Sequence, residues 1–227
     1  MSTHAPMLLR FRRLADAPPP ERELLDVQAD GTATAWRSNG GVIGRFAGPV
    51  PDPEGLRTAV KGVDGVAPPP DPDLPADAAV EVLEIGDRRA RFASRVPVDG
   101  PWGPLVGACR SLLDAMTGSP LAAIGATLER DGTLRLEARG PEPLPVELAS
   151  LEAAVTLWQN GREAAAGRVV GGELDRVEAG PGWSVELKPP AMEIEGGGTL
   201  AGVATFVADD EGIYVPVALT ASVDLPS

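Results

Sequence analysis

Alternating apolar and polar positions open this chain as a series of short strands. Residues 7 to 14, Met-Leu-Leu-Arg-Phe-Arg-Arg-Leu, are too short and mixed for a helix and read as a first strand, broken by the prolines that follow Ala17. Leu24 to Ala29 stops at Asp30-Gly31 and resumes as Thr32 to Arg37, the pattern of a hairpin with a tight Asp-Gly turn. A second turn at Ser38-Asn39-Gly40-Gly41 leads into Val42 to Ala47, so the chain begins as an antiparallel meander. Pro53 to Val60 has proline at its start, Asp52 placed as a cap, and Gly62 and Gly65 to end it, which predicts a short helix.

The pattern then returns. Arg45-Phe46-Ala47, two residues, and Val50-Pro51 reappear as Arg91-Phe92-Ala93, two residues, and Val96-Pro97. Each copy follows an alternating strand and precedes a segment of helical spacing, predicting a strand-strand-helix unit used twice. In the second copy Val80 to Ile85 turns at Gly86-Asp87 and comes back as Arg88 to Val96. From Gly103 onward, Leu105, Val106, Cys109, Leu112, Leu113 and Met116 recur at the interval of one buried helix face. The proline-rich, acidic run from Ala67 to Ala78 is read as an extended surface loop between the two units. Thr117-Gly118-Ser119-Pro120 ends the helix and marks a domain boundary.

Past that boundary no long helix is predicted. Ala122 to Glu129 and Thr133 to Ala138 flank Arg130-Asp131-Gly132, and Val155 to Gln159 and Arg162 to Val169 bracket Asn160-Gly161; both read as hairpins. Pro141, Pro143 and Pro145 step the chain along a sheet edge. Further strands are expected at Trp183 to Leu187, Leu200 to Val207 and Ile213 to Val223. Two periods compete between Val146 and Val155: Leu148, Leu151, Ala154 and Val155 have helical spacing, and the last part also reads as a strand. The expected fold is an α+β domain over residues 1–118, an antiparallel sheet with two helices, followed by a β-sandwich domain over 119–227.

Composition sharpens this picture at a few points. The 227 residues are 43% hydrophobic and 23% charged, the balance of a core-forming protein, and the 4% of aromatics leaves Val, Leu and Ala to fill most of that core. Alanine, glycine and proline are abundant and lysine is scarce, as in proteins from high-GC genomes. A formal charge of −13 disfavours both a duplex-coating nucleic-acid binder and an anionic membrane surface. The single cysteine, Cys109, permits no intrachain disulfide, and the basic residues Arg10, Arg12 and Arg13 follow the apolar run Met7-Leu8-Leu9, the reverse of a secretory signal. A cytoplasmic location is the expectation.

Candidate chemistry is sparse. His4 is the only histidine and lies in the N-terminal tail, which leaves Ser-His-Asp, Cys-His and His/Cys zinc sites without their central residue. Cys109 falls on the buried helix face and reads as a structural thiol. Asp209-Asp210-Glu211 lacks the spacing of a calcium loop, and Gly196-Gly197-Gly198 lacks the ending of a phosphate-binding loop. Trp158 sits in an alternating strand and is expected in the sandwich core. Trp102, between Gly100-Pro101 and Gly103-Pro104, and Trp36 are the candidate contacts with a partner. No catalytic, cofactor or metal-ligating residue is assigned. The expected function is a non-catalytic interaction or structural protein that binds another protein or itself. An acidic inhibitor of a basic partner and a carboxylate-based metal-dependent enzyme are the alternatives.

Overall fold

In the computed structural model the described residues are 5–15, 21–39, 42–75, 78–116, 118–128, 134–159, 162–170, 176–187, 198–208, 213–214 and 217–223. They form mostly antiparallel sheet with two helices. Contacts divide the chain into two compact units, Met1–Arg37 with Arg45–Ser119, and Ser38–Gly44 with Pro120–Ser227.

The first unit is built from strands β1 (Met7–Ala15) and β2 (Glu21–Gln28), most of β3 (Thr32–Asn39) and of β4 (Val42–Pro49), whose ends within Ser38–Gly44 belong to the second unit, helix α1 (Pro53–Gly62), strands β5 (Val80–Ile85) and β6 (Arg88–Ala93), and helix α2 (Trp102–Ala115). Its strands lie in the order β4-β3-β2-β1-β5-β6. The Asp30-Gly31 turn forms as the sequence predicts: Gly31 takes φ +87°, and the Asp30 carboxylate accepts from the Thr32 N–H (2.9 Å) and hydroxyl (2.7 Å). Those bonds hold the Asp30 carboxyl below its ordinary pKa. Asp52 caps α1 by accepting from the Gly55 N–H at 2.9 Å, with Pro53 in the first turn.

Cross-strand register defines the two faces of this sheet. Phe11 lies opposite both Leu25 and Leu83, and Leu83 opposite Ala90, so Leu9, Phe11, Leu25, Val27, Ala33, Ala35, Leu83, Ala90 and Phe92 share one buried face. Helix α2 lies over that face and buries Leu105, Val106, Cys109, Leu112 and Leu113, as its apolar spacing predicts. The two copies of the Arg-Phe-Ala motif agree at Phe46 and Phe92, both buried, and part at the valines. Val50 is 7% exposed beside α1, whereas Val96 is 51% exposed, because the chain after β6 turns outward through Arg95 at φ +61°.

The second unit contains β7 (Pro120–Leu128), β8 (Leu134–Arg139), β9 (Leu144–Gln159), β10 (Arg162–Val170), β11 (Arg176–Ala179), β12 (Ser184–Leu187), β13 (Gly198–Ala208), β14 (Ile213–Tyr214) and β15 (Val217–Val223). Both expected hairpins form, β7 with β8 and β9 with β10. β12 extends the first pair along β8. A second sheet has the order β10-β9-β13-β14, with β11 on β9 and β15 on β13. The helical spacing between Val146 and Val155 does not produce a helix. β9 runs through it, hydrogen-bonded on one side to β10 and β11 and on the other to β13, and two ladders satisfy more backbone than one isolated helical turn does. Trp158 stands in β9 opposite Glu163 and Thr199. His4, the stretch 209–212 and Gly196-Gly197 lie outside the described residues.

Candidate functional site

Three features of the first unit carry polar or accessible chemistry. The first is a row of charges under α2. Glu23 of β2, Arg13 of β1 and Glu81 of β5 are consecutive cross-strand partners on the buried face. Arg13 is 4% exposed and Glu81 is 0% exposed. Arg13 donates to Glu23 Oε2 at 2.7 Å and reaches Glu81 Oε1 and Asp114 Oδ1, each at 3.4 Å. Arg110, descending from α2, meets Glu81 Oε2 with Nε at 2.8 Å and Nη2 at 2.7 Å. Ser94 Oγ and the Arg95 N–H donate to Glu81 Oε1, both at 3.4 Å. Arg37 closes the other end, 3.8 Å from Glu23 Oε1, and donates to the Leu113 carbonyl.

Burial alone would lower the Arg13 pKa; the surrounding carboxylates, Glu23 foremost, more than offset it and hold the guanidinium charged. Cys109 lies on α2 one residue before Arg110. Its thiol is pushed up to about 12, first by burial and then by the charge of Glu81, which makes it a poor nucleophile. The charged groups of this row pair with one another and tie α2 to the sheet.

Sequence reasoning missed the row, although a signal for it exists. Arg13 falls in phase with Leu9 and Phe11, Glu23 with Leu25 and Val27, and Glu81 with Leu83 and Ile85. A charge that continues the apolar phase of its own strand is a charge on the core face. What the phase does not reveal is that β1 and β5, about seventy residues apart, are neighbours.

The second feature is an open groove between α1 and α2, about 490 Å³ in volume. Val50, Leu56 and Leu112, all buried, are its apolar base, and Gly55, Ala59, Pro104, Ala108, Ser111 and Ala115 give it small walls. Asp52 and Ser111 bring the polar side chains, and among the described residues no basic one lines it. The small side chains come from the interval 104, 108, 111, 115 on α2, which keeps one stripe of that helix low.

The third feature is the pair of tryptophans proposed from sequence, both buried in this structure. Trp102 is 4% exposed; its ring packs against Phe92 with centroids 6.2 Å apart, and its Nε1 donates to the Ala67 carbonyl at 3.2 Å. Trp36 is 5% exposed, opposite Leu24 on the sheet face away from α2. The large apolar side chains that are exposed among the described residues are Met7 and Val96.

Among the described residues, no group of three or more His, Cys, Asp or Glu side chains is gathered so as to hold a metal ion, and no helix is long and apolar enough to cross a membrane. No protein-family model, curated protein or solved structure matches this chain.

Proposed function

We propose that this chain is a non-catalytic, cytoplasmic protein-binding or structural component of an assembly, and that it engages its protein partner through the groove between α1 and α2. Its two domains, 1–118 and 119–227, would divide the work, the second being a β-sandwich. The observation that carries the reading is the groove itself: an open apolar channel of about 490 Å³ with small walls. Orienting a small polar ligand takes several convergent polar groups. Here the Asp52 carboxylate is already engaged as the α1 cap, which leaves the Ser111 hydroxyl. Small walls instead admit the apolar side chains of a protein segment, in the manner of a helix laid into a groove. With Asp52 at the rim and a formal charge of −13 on the whole chain, the favoured segment carries basic residues beside its apolar stripe.

The test is affinity capture from the source lysate with the tagged chain and with Ala108→Trp, which fills the groove, each at low and high salt. Wild type is expected to retain one stoichiometric partner that Ala108→Trp loses while its circular dichroism stays the same. Equal retention by both would remove the groove from the account. Empty eluates from both would remove the protein-binding reading.

A further inference from the structure

On the sheet face away from α2, a second row of cross-strand partners alternates in charge: Asp26 of β2, Arg10 of β1, Glu84 of β5 and Arg89 of β6. Arg10 binds Asp26 through both nitrogens of its fork, at 2.7 and 2.9 Å. Glu84 lies 3.6 Å from Arg12 and 3.9 Å from Arg89. β6 is the outermost strand on its side of the sheet, so this row ends on a positive charge at an edge, with the Arg89 side chain 60% exposed. The edge strand and the turn after it, Arg88-Arg89-Ala90-Arg91-Phe92-Ala93-Ser94-Arg95, gather four arginines in a strongly acidic chain.

A segment of the chain already shows what this edge accepts. Val63, just past α1, offers its carbonyl to Arg88 Nη1 at 2.6 Å. The Ala67 carbonyl receives Trp102 Nε1 on the α2 side of the sheet, and Asp71 Oδ2 receives Arg91 Nη1 at 3.3 Å on the opposite side. Between Ala67 and Asp71 the chain therefore passes from one face to the other around β6. This strap, Ala-Pro-Pro-Pro-Asp, meets the edge with acceptors, and its prolines have no N–H to give to the carbonyls of β6. It forms no strand with β6, and the Arg91–Asp71 pair that holds its far end is solvent-exposed on both sides, 42% and 66%. The Nε of Arg91 is buried with no hydrogen-bond acceptor among the described residues.

We infer that the β6 edge is a strand-addition site for an extended acidic segment of a partner protein, and that Asp71 of the strap is its internal stand-in. An added strand continues the charge row by placing carboxylates opposite Arg89 and Arg91, with apolar side chains at the intervening positions toward Ala90 and Phe92. A second copy pairing through its own β6 would set arginine against arginine, which selects a different, acidic chain. The inference does not depend on the helix groove.

The test uses fluorescence anisotropy with a labelled, end-capped decapeptide of alternating Glu and Val, and with an alternating Glu and Pro peptide of equal charge that cannot complete a ladder. The full chain is expected to bind the Glu-Val peptide, and Asp71→Ala to bind it about two- to fivefold more tightly, the range an exposed ion pair provides. Arg89→Glu with Arg91→Glu is expected to lose more than tenfold, and amide exchange of residues 88–93 is expected to slow on binding. Equal binding of the Glu-Pro peptide, binding indifferent to the arginine reversals, or no binding by Asp71→Ala would overturn the inference. So would peptide-free self-association of Asp71→Ala in sedimentation, which would make a second copy the occupant.

Discussion

Removing Arg110 tests whether the buried charge row clamps α2 to the sheet. In Arg110→Met the stem is kept and the guanidinium is lost, so the two shortest contacts on Glu81, 2.8 and 2.7 Å, disappear. Glu81 then retains three contacts, all at 3.4 Å, from Arg13, Ser94 and the Arg95 N–H, while remaining 0% exposed. Breaking a buried ion pair from one side costs about 3–5 kcal/mol, and the fully buried survivor places this case in the upper part of that range. Glu81→Gln should cost less, about 1.5–3 kcal/mol, the worth of a hydrogen bond to a charged group. It leaves Arg13 with Glu23 at 2.7 Å and Arg110 still able to reach solvent and the Ala93 carbonyl. The double variant Glu81→Gln with Arg110→Met removes both charges and should recover about 2 kcal/mol relative to the additive expectation. Urea unfolding followed by tryptophan fluorescence, with m-values compared, measures all three. A cost for Arg110→Met below about 1 kcal/mol, or strict additivity in the double variant, would refute the clamp.

Three further outcomes follow from particular positions. The Cys109 thiol is raised to about 12 in the fold from 9.0, so its stabilising contribution is intact below pH 9 and is lost as pH climbs from there toward 12, at about 1.4 kcal/mol per pH unit; Cys109→Ala should flatten that part of the pH–stability curve, and an unchanged slope would contradict the assignment. A Cβ at Gly44 would lie 2.2 Å from the Ala122 carbonyl oxygen and 2.4 Å from the Ala123 Cα, so Gly44→Ala forces backbone apart and should lower stability by about 1–3 kcal/mol in urea unfolding. Arg95 holds φ +61° with an exposed side chain and uses only its N–H toward Glu81, so Arg95→Gly should be neutral or stabilising by up to about 1 kcal/mol in a thermal melt, and a loss of more than that would place the arginine side chain in a role of its own.

The parts of the fold legible in the sequence are those fixed by contacts close along the chain. Asp30-Gly31 and Gly86-Asp87 announce their turns, Asp52-Pro53 announces a helix start, and the spacing from Leu105 to Leu113 names the buried face of α2. Between Val146 and Val155 local spacing pointed two ways, and partners about fifty to sixty residues away on β13 decided for a strand. The charged row was half visible, as in-phase charges on three strands, but its meaning required the β1–β5 pairing. The tryptophans were conspicuous as large rings beside turns; Trp102 is nevertheless buried, because the strap delivers the Ala67 carbonyl to its indole N–H. The groove left only small residues in the sequence, which read there as part of a general bias toward alanine and glycine.

The most direct measurement of the groove's role is site-specific photo-cross-linking. A benzoyl-phenylalanine replaces Ser111, inside the groove, or Pro141, exposed between β8 and β9, and the adducts are sequenced. The expected result is a protein adduct from position 111, attached through an apolar segment with flanking basic residues and absent from position 141 and from the Ala108→Trp background. Adducts from position 141 alone, or the same adduct from 111 when the groove is filled, would contradict a partner seated between α1 and α2.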